Sequence, residues 1–366
     1  MTTLVTGGAG FIGSHVVEAL VRDGHRVRVL DSLRPDVHGP SPDLSPLREL
    51  CGVEVVVGDT TSTHDVADAL VGCDRVVHLA AKVGLGVDFA DTEDYVHTNA
   101  TGTAVLLGAM ARADVRRLVL ASSMVVYGDG DYLDEAGTVV RPRPRRRVDL
   151  DAGRFDPVGV DSGALRPTLV GEDSLLDPQN VYAATKLHQE HLATAWALAC
   201  GGSGIALRFH NVYGPRMPMN TPYAGVASIF RSAVERGEAP LVLEDGAQRR
   251  DLVHVRDVAD AVVVALEATG SRPRGSMGAY NVGSGVVHTI GELAAALSTA
   301  AGGLAPVVTG GYRSGDVRHV TASSERAAAE LGWRARIGFE EGMLELAHAP
   351  LRPPAGSAPP IRRRAG

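Results

Sequence analysis

The chain has 366 residues and is 45% hydrophobic, which suffices for two lobes or for one large α/β domain with an appendage. Its 36 Lys and Arg against 43 Asp and Glu leave a net charge of −7, a field that repels nucleic acid, and no run approaches the roughly eighteen consecutive apolar residues that a membrane span requires. The three cysteines, Cys51, Cys73 and Cys200, are scattered without a Cys-x-x-Cys pair, which argues for reduced thiols and against a zinc site or a disulfide framework.

The first strand, Thr3 to Thr6, begins so close to Met1 that no signal peptide fits before it, and a cytoplasmic location is expected. It runs into "TGGAGFIG", where Gly7, Gly10 and Gly13 stand directly after the strand and at the start of a helix running to about Asp23, and Phe11 and Ile12 are expected with them at the cofactor. Glycines there permit a tight turn and let backbone approach a pyrophosphate, while the helix N-terminus offers N–H donors and a positive dipole end. The second strand, "HRVRVLD", closes on Asp31, a carboxylate placed to accept a hydrogen bond from the ribose 2′-hydroxyl of NAD and to repel the 2′-phosphate of NADP. Arg34 lies close by, and the acid decides for NAD. After the third strand, Val53 to Val57, Asp59 and Thr60 in "VVGDTTS" can meet the adenine edge, or Asp59 can cap a helix.

Further strands are expected at Val76–Leu79, Leu118–Ala121 and Ile205–Leu207. Near-continuous apolar strands separated by amphipathic helices specify an α/β fold, a doubly wound parallel Rossmann sheet covered on both faces. Residues 129–179 carry Gly, Pro, Asp and Arg with little apolar periodicity and read as an insertion in loops at the edge of a site. Their basic run "RPRPRRR" (141–147) and the triplet Arg362–Arg364 read as a solvated loop and tail. Beyond about residue 214 the alternation becomes irregular, with helices expected near 224–236, 257–268, 291–301 and 323–331. The expected division is a Rossmann domain over 1–210 with its insertion, a smaller mixed α/β substrate lobe over 211–349, and a disordered Pro-rich tail over 350–366.

One more pair stands out. In "VYAATKLHQEHL" (181–192), Tyr182 and Lys186 are four residues apart in a helical segment, so both side chains lie on one face. A phenol beside a fixed cation ionises below its ordinary value of about 10 and becomes usable as a base.

These segments together resemble the extended short-chain dehydrogenases/reductases, and within them the NAD-dependent nucleotide-sugar epimerases and dehydratases. The matching motifs run in that family's order: "TGGAGFIG" (6–13), "HLAA" (78–81), "TNATGT" around Asn99, "ASSMVVYG" (121–128), "YAATK" (182–186), "RFHNVYGPR" (208–216), "RRDLVHVRDVA" (249–259), "YNVGSG" (280–285) and "RSGDVRH" (313–319). The resemblance implies NAD held by the glycine loop, Asp31, the segment Leu79, Ala80, Ala81 and Lys82, Asn99, and Tyr182 and Lys186. It implies a catalytic triad of Ser123, Tyr182 and Lys186, in which Tyr182 takes the proton of a sugar hydroxyl while hydride leaves the same carbon. Lys186 would hold the nicotinamide ribose and depress the Tyr182 pKa, and Ser123 would hydrogen-bond the reacting oxygen.

Dehydratases and decarboxylases of the family carry carboxylates just after the triad Ser/Thr, whereas this chain has Met124 and Val125, which transfer no proton. C4 epimerisation of a nucleotide-activated hexose is therefore the leading expectation, with a dTDP-6-deoxyhexose such as dTDP-L-rhamnose favoured over UDP-hexoses; a 4-ketoreductase and a non-catalytic dinucleotide sensor are the alternatives. By the same resemblance Asn211 and Arg250 contact the substrate diphosphate, Arg313 or Arg318 clamps it, and Val226 lies in the stretch that wraps the nucleobase. Lys82, Gly84, Met124, Val125 and His210 would line the sugar end and Arg216 would add a further contact, with His210 equally readable as a core histidine. A homodimer is expected through a four-helix bundle formed by helices near 99–112 and 182–199, with Ala104, Leu107, Ala111, Leu192 and Trp196 as candidate interface residues.

Overall fold

Seven strands alternate with helices because most of their sequences bury side chains toward both faces. They are β1 (Thr2–Thr6), β2 (Arg26–Asp31), β3 (Val53–Val57), β4 (Arg75–His78), β5 (Arg117–Ser123), β6 (Ser203–Phe209) and β7 (Ser276–Val282). In the computed structural model, which describes residues 1–39, 42–84, 89–160, 163–219, 225–313 and 315–352, they form one sheet in the order β7-β6-β5-β4-β1-β2-β3, with every pairing parallel. Consecutive residues point to opposite faces. Val5, Val29, Val77 and Val119 face one core, whereas Leu4, Leu30, Val76 and Leu118 face the other.

The helices that cover the sheet are α1 (Phe11–Arg22), α2 (Thr63–Leu70), α3 (Gly102–Arg112), α4 (Val181–Cys200) and α5 (Val255–Ala268). Helices α1 and α5 close the first core through Val16, Leu20, Val262 and Leu266; α2, α3 and α4 close the second through Leu70, Leu106, Met110 and Trp196. The chain reverses its winding between β1 and β4, so the carboxyl ends of these strands border the crevice where such sheets hold ligands. Two elements of this half come from beyond residue 210: β7, which is polar and Gly-containing, and α5, which packs on α1. The sheet thus does not stop at the expected domain limit.

The smaller lobe is built on a mixed sheet of Asn211–Tyr213, Arg249–His254, Val287–Thr289 and His319–Val320. Helices Val226–Glu235, Ile290–Ala300 and Phe339–His348 pack around Tyr213, Phe230, Leu252, Leu293, Leu297 and Leu346. Leu351 is buried there and Arg352 pairs with the 217–219 segment, so the tail expected from residue 350 is ordered through 352. The rest of that tail, the start of "PYAGVASIF" and residues 85–86 of the sugar-pocket stretch lie outside the described residues.

The insertion is more than loops. Tyr132–Leu133, Val139–Val140 and Arg166–Pro167 form a small antiparallel sheet, and Val170 is stitched to Thr321 and Ser323 by backbone hydrogen bonds of 2.9 Å. Its basic run is only partly solvated. Arg145 is buried in an ion pair with Glu244 at 2.7 Å, and Arg141 donates to the carbonyls of Tyr127 and Leu175, whereas Arg146 and Arg147 are exposed.

Candidate active site

The glycine loop is shaped by close approach. Gly7 has φ +70°, and a Cβ there would lie 2.7 Å from the Ala80 nitrogen; a Cβ on Gly13 would lie 2.1 Å from the Gly7 carbonyl oxygen. Helix α1 starts on Gly10 with no side-chain cap and no acid in its first turn; the Gly10 N–H closes the loop onto the Gly7 carbonyl at 3.1 Å, and the next backbone bond is Ser14 N–H to the Gly10 carbonyl at 3.0 Å. The N–H groups of Phe11, Ile12 and Gly13 are thereby left for an anion at the positive end of the helix dipole. A side-chain-free cradle with unused donors fits the pyrophosphate of a dinucleotide.

Asp31 sits at the end of β2 and is nearly buried. Its carboxylate accepts from the N–H groups of Ala9 and Leu33 at 3.0 Å each, and His38 Nε2 lies 3.4 Å away. Burial opposes its charge, but His38 and the two N–H donors outweigh burial and hold the carboxyl below its usual range. Asp59 does not cap α2. It makes a turn with Thr61, accepting from its N–H and hydroxyl at 2.8 Å each, while Ser62 is the N-cap, and Thr60 is buried against Gly102. Leu79, Ala80 and Ala81 leave β4 directly over the glycine loop, with Ala80 N–H donating to Thr6 Oγ1 at 3.2 Å.

Lys82 is positioned by Asn99, whose Oδ1 accepts from Lys82 N–H at 2.8 Å and whose amide donates to the Lys82 carbonyl at 3.0 Å and Thr185 Oγ1 at 2.9 Å. Asn99 lies in a π-helical segment, Val96–Thr101, that leads into α3; such irregular turns are frequent at functional sites. The Lys82 ammonium pairs with Asp94 at 2.8 Å and Asp91 at 3.3 Å. Gly84, expected beside the sugar, accepts a hydrogen bond from Tyr95 at 3.0 Å, and the Tyr95 and Tyr182 rings are 6.3 Å apart.

Ser123 ends β5, and Tyr182 and Lys186 stand on the first turns of α4, which Asn180 caps by accepting from Ala183 N–H at 2.9 Å. The three side chains converge. The Ser123 hydroxyl is close enough to the Tyr182 phenol to favour its ionised form, and the Lys186 ammonium lies 5.9 Å from the Tyr182 ring centroid. The expected depression of the Tyr182 pKa is not found. Burial pushes the phenol up to about 12, against the pull of the Ser123 hydroxyl. Burial likewise pulls Lys186 down to about 7, opposed by Glu190, and its ammonium donates to the Ala121 carbonyl at 2.9 Å rather than to the phenol. Met124 and Val125 follow in a short 3-10 turn and bring no titratable group to the triad.

Beneath the triad is a polar network that the sequence reading missed. Glu190, one helical turn beyond Lys186, accepts from Arg208 Nη2 at 2.7 Å and from the Ser122 hydroxyl; Arg208 reaches Tyr127, which donates to Asn281 at 2.8 Å. It fixes β5, β6 and β7 to α4. Only the i, i+4 spacing of Lys186 and Glu190 hints at it in the sequence.

At the carboxyl end of β6, His210 is buried with no partner for either ring nitrogen, and Asn211 Oδ1 is likewise unpartnered, among the described residues. Burial keeps His210 neutral, with a pKa of about 3. Arg250 donates to the carbonyls of Arg249, Val317 and Arg318 and makes no ion pair among the described residues, a cation still in want of an anion. Val226 opens its helix and packs against the core of the smaller lobe, and Arg313 is exposed.

Two expected substrate contacts are engaged elsewhere. Arg318 is fully buried and forked onto Glu244 at 2.8 Å, Asp245 at 2.7 Å and Asp156 at 2.8 Å, so it clamps the insertion to the lobe. Arg216 binds Glu18 of α1 through two hydrogen bonds, of 2.6 and 2.8 Å. Of the candidate interface residues, Leu107 and Trp196 belong to the core between sheet and helices, Ala104 is exposed, and Ala111 and Leu192 are half-buried. No helix among the described residues is long and apolar enough to cross a membrane, and no cluster of metal-ligating side chains occurs among them.

Comparison with known proteins places this geometry. The model of the NAD-dependent epimerase/dehydratase family matches residues 3–146 and 163–283. A dTDP-L-rhamnose 4-epimerase of Burkholderia thailandensis is 36% identical over 349 residues, covering 94% of this chain and 93% of the relative. Among solved structures, a Thermus thermophilus UDP-glucose 4-epimerase complexed with NAD superposes with a TM-score of 0.74 at 30% identity, covering 95% of this chain and 98% of the other. A Thermotoga maritima UDP-glucose 4-epimerase with UDP-glucose gives a TM-score of 0.74 at 27% identity, over 95% and 97%. By the family model's match over most of the chain and the 36% identity to a relative covered almost end to end, the chain belongs to the NAD-dependent epimerase/dehydratase family.

Proposed function

We propose that this chain is an NAD-dependent isomerase that inverts C4 of a nucleotide-activated hexose through a transient 4-keto sugar, with a dTDP-6-deoxyhexose such as dTDP-L-rhamnose favoured over UDP-hexoses. The observation that carries the reading is the convergence of Ser123, Tyr182 and Lys186 at the end of β5, with Met124 and Val125 where an elimination would need an acid and a base. NAD, when bound, supplies the acceptor and donor of the C4 hydride. The chain's own tasks are then few. Tyr182 Oη removes and returns the proton of the C4 hydroxyl, Ser123 Oγ hydrogen-bonds that oxygen, and Lys186 holds the ribose beside it.

The nucleotide end would lie against Arg250, Asn211 and His210. A half-buried guanidinium with no ion pair among the described residues suits a diphosphate because its planar fork meets two oxygens at once, and neutral His210 and Asn211 add hydrogen bonds without charge. The preference for a dTDP-6-deoxyhexose follows the Burkholderia relative. Pairing of two copies through α3 and α4, with Ala104, Ala111 and Leu192 at the seam, completes the proposal.

The test is ¹H NMR of purified protein incubated separately with dTDP-L-rhamnose, UDP-glucose and UDP-N-acetylglucosamine, with no cofactor added. A new anomeric signal with an inverted C4 coupling pattern is expected for dTDP-L-rhamnose. Conversion only after addition of oxidised nicotinamide nucleotide, with a 4-keto sugar and an equal amount of reduced cofactor as products, would instead identify a ketoreductase running in reverse.

A further inference from the structure

Arg34 poses a problem that Asp31 alone does not solve. It lies three residues past the ribose acid, where a guanidinium would attract the 2′-phosphate of NADP. Its fork is already occupied on both sides. Nη1 and Nη2 donate to the two oxygens of Asp94 at 2.7 and 2.8 Å, and Nε and Nη2 donate to the two oxygens of Asp36 at 3.0 and 2.9 Å. Hydrogen bonding to Asp94 and Asp36 raises the Arg34 pKa, so the cation is permanent as well as engaged.

Asp94 is itself held. It stands on the helical turn Thr92–Tyr95 beyond β4, where Lys82 Nζ donates at 2.8 Å to Oδ2, the oxygen that also accepts from Arg34 Nη2, and Thr98 Oγ1 donates to Oδ1 at 3.2 Å. The Arg34–Asp94 pair therefore ties the loop after β2 to the segment after β4, the two strands that flank β1 and its glycine loop.

We infer that Asp94, assisted by Asp36, is a positioning residue for cofactor choice: it holds the Arg34 guanidinium in a double carboxylate grip and so denies NADP the cation its 2′-phosphate would need. The inference rests on the dinucleotide site described above. Discrimination then has two components, repulsion by Asp31 and sequestration of Arg34, the second acting against the wrong cofactor rather than for the right one. A planar guanidinium forked onto two carboxylates has no pair of N–H groups left for a phosphate.

The experiment compares Asp31→Asn with Asp31→Asn/Asp94→Asn, so that repulsion by Asp31 is removed from both arms. Each purified protein is equilibrated with equal concentrations of NAD⁺ and NADP⁺, and the nucleotide released on denaturation is quantified. The NADP-to-NAD ratio is expected to rise about tenfold or more in the double variant, the order of one charge-assisted interaction, and to fall back when Arg34→Ala is added. An unchanged ratio, or a rise that survives Arg34→Ala, overturns the inference. Asp36→Asn takes the place of Asp94→Asn, with the same two outcomes, should that variant not fold. A wild-type chain that holds neither nucleotide overturns the dinucleotide site and this inference with it.

Discussion

Tyr182 and Lys186 show how burial outweighs proximity in the folded chain. The cation sits on the same helix face as the phenol, yet both groups are desolvated, and each is moved toward its neutral form: the phenol up to about 12, the ammonium down to about 7. The spacing made the pair legible, whereas the direction of the Tyr182 shift depended on packing by β5 and Tyr95. Tyr182→Phe removes only the proton-transferring oxygen. It should lower turnover at least 10²–10⁴-fold, the range of general acid–base catalysis, while cofactor content and thermal stability stay at wild-type values; unchanged turnover would remove Tyr182 from its role. Lys186 gives a second test. Between its folded pKa of about 7 and its ordinary 10.5, the unfolded chain retains a proton that the cofactor-free folded chain has released, so stability rises with pH across that window. Denaturant midpoints measured from pH 7 to 10 should climb more steeply for wild type than for Lys186→Met. Equal slopes would place the ammonium in water.

Among the elements, the first six strands and the first helix were readable because apolar runs and a glycine turn mark them directly. Strand β7 was not, since "SMGAYNV" carries Gly and Asn, the latter spent on bonds to Tyr127, Val170 and Ser323 rather than on hydrophobic burial. The roles of Arg318 and Arg216 were hidden for a different reason: their carboxylate partners lie far away in sequence. At the α1 terminus, Gly13→Ala should cost about 1–3 kcal/mol through overpacking against the Gly7 carbonyl and abolish dinucleotide retention, both readable by thermal melts with and without NAD. The clamp on the insertion separates buried from exposed charge. Arg318→Met leaves Glu244 and Asp245 short of a cation and should cost roughly 3 kcal/mol or more in urea unfolding. Asp156→Asn, whose side chain is 70% exposed, should cost about 1 kcal/mol or less. Similar losses for the two variants would contradict the assignment of Arg318 as the centre of the clamp.

The whole molecule divides its labour between a cofactor half and a smaller lobe that brings Arg250, without an ion pair among the described residues, to the far end of the site. Both halves are stitched by the insertion, through Arg145 and Glu244 on one side and Asn281 and Val170 on the other. Such an arrangement suits a reaction in which the cofactor is not released and the same hydride leaves and returns. The most direct measurement is therefore turnover of dTDP-L-rhamnose labelled with deuterium at C4, followed by NMR and mass spectrometry of the product. The account predicts that the C4-inverted sugar keeps its deuterium at C4, with no hydrogen taken up from solvent there; loss of the label, or exchange with water at C4, would contradict it.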